Sequence, residues 1–417
     1  MNFMSGPKQQ AKRIAQLVTP LGEDVLVASR LDGSEGMSKL FEYRIEGLSS
    51  DPDLDLDVLI GRNATMSLET PDGDSRYFDG IVVEAEWVGQ RYEDFVYRLV
   101  LRPWFWLLSR RTDCRIFHAK TAPEIVEEVM KAHPFAHFQN ALTRTYPTLE
   151  YTVQYRESDL AFCLRLMEKH GIGYYFRHQP GQHMLVMSDS LSSYETIPGG
   201  SRPFIPKAMR EHVDGEHISM MVPQRRFTSG KVALAAYDFK KPTAEMGTQA
   251  QAPGSYEHAT LEVYDYPGQY VEPDAGTAYS SARMSAEASR DRRRMIGGDL
   301  PSACPGQLMT VTGHPRASEN QEYLVLSATH AFASQGYRSG VNDEDAYHGT
   351  YELLPSTVDF APPMTTEKAR VYGPQTAVVV GEGEIDVDEF GRILVHFHWD
   401  RYGDRSKRLR VAQHSAQ

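Results

Sequence analysis

The chain has 417 residues, 41% of them hydrophobic and 24% charged, and carries a formal net charge of −12. That length exceeds one ordinary core and implies two to four domains, and the composition is that of a globular rather than a disordered chain. The acidic surplus excludes nucleic-acid binding as the main role, because such a surface needs a concentrated basic field.

The opening MNFMSGPKQQAKRIAQ has no apolar run of signal-peptide length. Arg98 and Arg102 interrupt the best apolar stretch, FVYRLVLRPWFWLL, before it reaches the ~20 residues of a membrane helix. Cys114, Cys163 and Cys304 are odd in number and widely spaced, which fits small buried thiols rather than a disulfide framework or a zinc site. The expectation is a protein made and folded in the cytosol, which leaves, if at all, by a route that reads no N-terminal signal.

The first hundred residues predict strands. VLVASR (25–30), KLFEYRIEGL (39–48), YFDGIVVEAEWV (77–88) and FVYRLVLR (95–102) alternate β-branched or aromatic residues with polar ones, with Gly, Pro and Asp between them. Such spacing suggests an antiparallel barrel or sandwich. Asp51, Asp53, Asp55 and Asp57 imitate a calcium loop, but its sixth and twelfth positions are Leu56 and Arg62, so an acidic solvated loop is expected. Trp104 and Trp106 read as core or interface.

In TAPEIVEEVMKAH, Thr121 and Glu124 form a capping box, and Ile125, Val126, Val129 and Met130 make one apolar face. His133-Pro134 ends that helix. In YTVQYRESDLAFCLRLMEKHGIGYYFRH (151–178), a strand leads to the N-cap Ser158. Leu160, Cys163, Leu164 and Met167 then mark a helical face, and Gly171 stops the helix before another strand. Glu157 and Asp159 have the residue types of a catalytic acid pair. Capping and the helix dipole alone would place acids there, and their amides are expected to cost about 1 kcal/mol each.

A further strand is expected over residues 231–239, followed by a mobile loop (KKPTAEMGTQAQAPGSYEH). TAYSSARMSAEASRDRRRMIGG predicts a helix ending at Gly297, with Arg290, Arg292, Arg293 and Arg294 near its C-terminus. QLMTVTG and EYLVLSATHAF return to strand, and LLPSTVDFAPPMTTEKARVYGP reads as a Pro-rich linker. Phosphate-loop, His-Glu-x-x-His and Gly-x-Ser-x-Gly patterns are absent from the sequence. EHVDGEH offers His212, Asp214, Glu216 and His217, metal-ligand types without helical i, i+4 spacing.

LRPWFWLLSRRTDCRIF, residues 151–178, YDYPGQYV and RVYGPQTAVVVGEGEIDVDEFGRILVHFHWDR together resemble the VgrG family, spike proteins of the bacterial type VI secretion system. The resemblance spans nearly the whole chain. It implies an α+β, mainly β fold: two hub-type β-barrels with inserted α/β elements, then the start of an OB-type barrel. The divisions it suggests are a first barrel at 12–110, an inserted α+β segment at 111–200, a second barrel with a helical insertion at 201–355, a linker at 356–374 and an incomplete OB-type barrel at 375–417.

In that last segment Ile393, Val395, Phe397 and Trp399 fall on one face of a strand, and Leu394, His396, His398 and Asp400 on the other. Asp388 to Gly391 reads as a turn, so residues 384–400 form a hairpin. Two imidazoles on one strand face can hold a metal, but the resemblance makes His396 and His398 structural or interfacial. It continues, in the family, through more strands and a needle that this sequence does not include: either a piece of a longer spike or a shortened member. The tail is expected to be ordered by packing against the hub or its copies, least so over residues 402–417.

The function implied is structural. The expected partners are two further copies of the chain in a homotrimer, the Hcp tube hexamer, baseplate components, and effector or adaptor proteins, with no nucleic acid. Assembly in the cytoplasm and export through the type VI system follow, with no catalytic residue, cofactor or metal. The alternatives are a phage or phage-derived tail hub, a metal-dependent hydrolase using His396, His398 and Asp400 or the His212 cluster, and a spike bearing a hydrolase domain.

Overall fold

The computed structural model describes residues 9–206, 215–334, 346–381, 386–403 and 407–410. Its centre is one 12-stranded sheet. Ala15–Val18, Asn63–Glu69, Ser75–Arg91, Asp94–Arg102, Glu42–Ser49 and Val27–Gly36 lie side by side as the first half. Glu322–Ala333, Ala346–Pro355, Arg294–Asp299 and His217–Pro223 continue it as the second, and Gln307–Thr312 with Glu195–Pro203 branches from Glu322–Ala333. Val27–Gly36 pairs antiparallel with Glu322–Ala333 and joins the halves. The mainly β, α+β expectation is met, and in the second half a bridge between Phe204, just past Glu195–Pro203, and Ile218 of His217–Pro223 completes a ring of strand pairing.

Strands form where the period-2 pattern predicts them, because one side of each faces a core. Tyr43, Ile45, Phe78, Tyr97 and Leu99 are buried in a cluster shared with the two helices of the inserted segment. The first of these, Ala122–Lys131, carries the full Thr121–Glu124 capping box and buries Ile125, Val126, Val129 and Met130. Each such side chain contributes about 1.5–3 kcal/mol. The second, Asp159–His170, starts at Ser158, whose hydroxyl accepts the Ala161 N–H, and stops at Gly171 in the left-handed region (φ 65°). A second cluster, around Ile296, Val325, Tyr351 and Leu353, fills the other half.

Two expectations are corrected between residues 231 and 300. The strand from Lys231 stops at Ala235, and the stretch read as a mobile loop contains the strand Gly247–Gln251, which pairs with it. Met246, buried with Val232, Leu234 and Tyr270, anchors that strand. The helix is Pro273–Ala288 and ends nine residues before Gly297. The arginine run lies beyond it and enters the strand Arg294–Asp299, which is held on both edges, by Ala346–Pro355 and by His217–Pro223. Two long-range ladders override a helical propensity that only local contacts would support.

The linker is not a free tether. Thr365 and Thr366 each donate a backbone N–H to one Glu168 oxygen at 2.9 Å, and both hydroxyls bond its other oxygen. Ala361 is buried. Beyond it, Ala377–Val379, Arg392–Phe397 and Lys407–Arg410 form a separate three-stranded sheet.

Candidate functional site: buried ionic junction and docked tail

Where the halves meet, the sheet interior holds charge. Glu35 lies two residues from Gly33 on the inward face of Val27–Gly36. A Cβ on Gly33 would sit 2.5 Å from the Tyr43 ring, so glycine lets that ring cross the strand and reach the carboxylate. Arg76 donates to Glu35 Oε1 at 2.6 Å, the Tyr43 hydroxyl to Oε2 at 2.9 Å, and His330 Nε2 to Oε1 at 2.9 Å. The Glu35 and Arg76 side chains are 4% and 5% exposed. Burial pushes the Glu35 carboxyl upward, but Arg76, His178 and His330 outweigh it and hold the group well below the usual carboxylate range. His178 is pushed down to about 4, chiefly by burial, and His330 is lowered for the same first reason. The junction is therefore an ionised Glu35–Arg76 pair flanked by neutral imidazoles.

Beside it, Asp79 and His183 imitate a catalytic dyad. His183 Nδ1–H donates to Asp79 Oδ1 at 2.6 Å, but the backbone N–H of Trp104 donates to His183 Nε2 at 2.8 Å. The nitrogen that would act as a base is thus occupied by a buried amide. Asp79 also accepts from Thr65 and Asn63 at 2.6 and 2.8 Å. Burial, the first influence on Cys304, pushes its thiol up to about 12, so it is no nucleophile at neutral pH. The three cysteines are free thiols.

These groups were missed in the sequence, though a signal existed. Glu35 shares an inward face with Leu31, Arg76 with Phe78, His178 with Phe176, and His330 with Ala328 and Phe332. A charge in register with apolar positions marks a buried network.

Glu157 and Asp159 are brought together with cations, not with each other. Glu157 receives both Nε and Nη2 of Arg165, at 2.7 and 2.6 Å. Asp159 is 0% exposed and accepts from Gln154 at 2.8 Å, Arg111 at 3.3 Å and His133 at 3.2 Å, with Arg115 at 3.5 Å. The cap reading stands for Ser158. For Asp159 it understates the bond set, since a buried acid in this many contacts is worth more than a dipole term.

Arg111 continues the network to the tail. Asp113 accepts from Arg111 at 3.2 Å, from Arg401 at 3.2 Å and from the Tyr402 hydroxyl at 2.7 Å. Trp399 stands edge-on to Tyr155 and stacks on Phe397, and its indole N–H donates to Gln375, whose amide donates to the Tyr155 hydroxyl. Lys407 bonds the Tyr151 hydroxyl, and Arg392 pairs with Glu150 at 3.4 Å.

The expected two-faced strand is corrected in one respect. Val395 is buried and Phe397 and Trp399 half-buried as read, and His398 is exposed, but Asp400 is buried at 4% and accepts the Tyr402 N–H. The chain turns at Phe397–Asp400, so strand alternation ends before Asp400. The Asp388–Gly391 turn forms, with Asp388 accepting the Phe390 and Arg392 N–H groups. Residues 382–385, including the hairpin's first residues, and His212 and Asp214 lie outside the described residues. Glu216 pairs with Arg202 at 2.6 Å and His217 lies in a strand. Among the described residues no three His, Cys, Asp or Glu side chains are placed to hold a metal ion, and none of the helices is long and apolar enough to cross a membrane.

This geometry ties two β halves, an α/β insertion and a tail into one body, and comparison with known proteins agrees. Over 412 residues, 97% of the chain, it is 36% identical to the type VI secretion system spike protein VgrG1b of Pseudomonas aeruginosa, and spans 56% of that protein's length. Its fold matches the E. coli c3393 protein, a type VI secretion component similar to the T4 tail proteins gp27 and gp5, with TM-score 0.65 at 18% identity over 89% of this chain and 86% of that one. It also matches a tail protein from Neisseria meningitidis, with TM-score 0.57 at 11% identity over 83% and 97% of the two chains. The model of the phage tail baseplate hub family matches residues 34–336, and the chain belongs to that family.

Proposed function

We propose that the chain is the hub part of a type VI secretion spike: a homotrimer that caps a tube of Hcp hexamers, contacts the baseplate and carries effector or adaptor proteins. The likeness to VgrG1b along 97% of the chain carries this reading. The joined halves support it, since two similar strand sets per chain would let a trimer meet a hexameric tube. We carry forward the division into barrels at 12–110 and 201–355, an insertion at 111–200, a linker at 356–374 and an OB-type tail at 375–417. The role is mechanical and needs no catalytic residue or cofactor, and the capped Asp79–His183 pair and the saturated Glu35 site fit that role. Export would follow cytoplasmic assembly.

Light scattering at micromolar concentration tests the assembly: three times the 47.0 kDa chain mass is expected, and a monomer at every concentration overturns it. A phage tail hub is the second reading, favoured by the match to the Neisseria tail protein. Co-sedimentation with Hcp tubes separates the two, since a phage hub should ignore them.

A further inference from the structure

Between the tail sheet, the linker, the helix Asp159–His170 and the strand Thr148–Ser158 lies a cavity of about 510 Å³. That is the size of a small-molecule site. Its apolar walls come from four separate elements: Ile116 and Val153, Met364 and Val371, and the stacked Phe397–Trp399 pair. Its charged lining is unbalanced. Arg165 is matched by Glu157, and Glu168, held in place by the Thr365 and Thr366 donors, is the one carboxylate left on the wall. Against it stand three lysines, Lys169, Lys368 and Lys407, and the ion pairs among the described residues include none of them.

Lys169 Nζ donates to the Gln269 carbonyl at 3.1 Å and lies 4.8 Å from the Tyr279 ring centre, contacts that position an ammonium without neutralising it. In a chain of net charge −12, a half-enclosed apolar pocket with three ammonium groups against one free carboxylate is built against the prevailing charge. Burial first, then Lys368, Arg165 and Arg283, push Lys169 down to about 8, which records a cation without its anion.

We propose that this cavity binds an apolar acid, a carboxylate carried on an aromatic or aliphatic body, with the body against Phe397 and Trp399 and the carboxylate on Lys169 and Lys368. The acid can be a small molecule or the C-terminal residue of another chain; the shared chemistry is a terminal carboxylate behind an apolar group. This site is independent of the spike reading, because its walls all belong to one chain.

Calorimetry of the full chain with 4-phenylbutyrate, and with the neutral 4-phenylbutanol, tests it. Saturable binding of the acid is expected with Kd on the order of 1 mM or tighter. The alcohol should bind at least about tenfold more weakly, and Lys169→Gln should weaken the acid about tenfold. Lys368→Gln, an exposed change that leaves the fold intact, should weaken it severalfold. Above pH 8 affinity should fall in the wild type but not in Lys169→Arg, whose guanidinium stays charged.

A short peptide ending in phenylalanine with a free carboxylate distinguishes the sources. Tenfold tighter binding than phenylbutyrate, lost on amidation, assigns a chain end, whereas equal binding assigns a small acid. Equal affinity for acid and alcohol, no saturation by about 10 mM, or unchanged affinity in both glutamine variants overturns the proposal.

Discussion

Replacing Glu35 by glutamine should be among the most damaging isosteric changes in this chain. The substitution preserves shape but leaves the Arg76 guanidinium, 5% exposed, facing an amide where a carboxylate stood at 2.6 Å. Two unit charges centred about 4 Å apart, as in such a contact pair, are worth about 4 kcal/mol at an effective dielectric of 20. Breaking a buried pair by removing one partner costs about 3–5 kcal/mol. The loss should therefore be about 4 kcal/mol, and Arg76→Met alone should be comparable, since it strands the carboxylate. The double variant, Glu35→Gln with Arg76→Met, should recover most of that loss because neither charge is left buried alone. Urea unfolding at pH 7.5, followed by tryptophan fluorescence and far-ultraviolet circular dichroism, supplies the double-mutant cycle. A Glu35→Gln cost below about 1 kcal/mol, or a double variant whose cost equals the sum of the singles, would refute the claim that this pair is desolvated and coupled.

Acid should begin to weaken the fold near pH 6.5, through a buried histidine. His178 is held near 4 by burial and is neutral in the fold, while the unfolded chain takes up its proton below about 6.5. The unfolded state therefore binds more protons between those values, and about 3 kcal/mol of stability should be lost as pH falls from 6.5 to 4; melting temperatures across that range, with His178→Gln showing a shallower slope, check the sign. Asp159→Asn should cost about 3 kcal/mol, not the 1 kcal/mol of an exposed cap, and equal melting temperatures for Asp159→Asn and wild type would contradict its saturated bond set. Tyr402→Phe removes the 2.7 Å bond to Asp113 and should loosen the tail by about 1 kcal/mol, seen as faster hydrogen exchange over Arg392–Phe397 without change in the hub. Trp399→Asp should release the same sheet more completely, whereas His398→Asn, at an exposed position, should leave exchange and assembly unaltered; the reverse pattern would mean the histidine face holds the tail.

Local rules decided much of this molecule. The capping box at Thr121 and Glu124, the Ser158 cap, the Gly171 stop and the alternation of residues 39–48 and 95–102 each depend on contacts within a few positions, so the sequence alone specified them. The acidic loop at residues 51–57 was likewise readable from what it lacked. Tertiary structure decided what long-range pairing controls. Gly247–Gln251 is a strand because Lys231–Ala235 offers it an edge, and Arg294–Asp299 is a strand because two partners enclose it. Asp159 looks like any cap acid in sequence, and Glu35 shows only its register with Leu31; the partners that make them buried ions, Arg111 and Arg115 for one, Arg76 from 41 residues away and His330 from 295 for the other, arrive with the fold. The Lys169 cavity has no counterpart in any single segment, since its walls meet only when the linker and tail fold back over the helix.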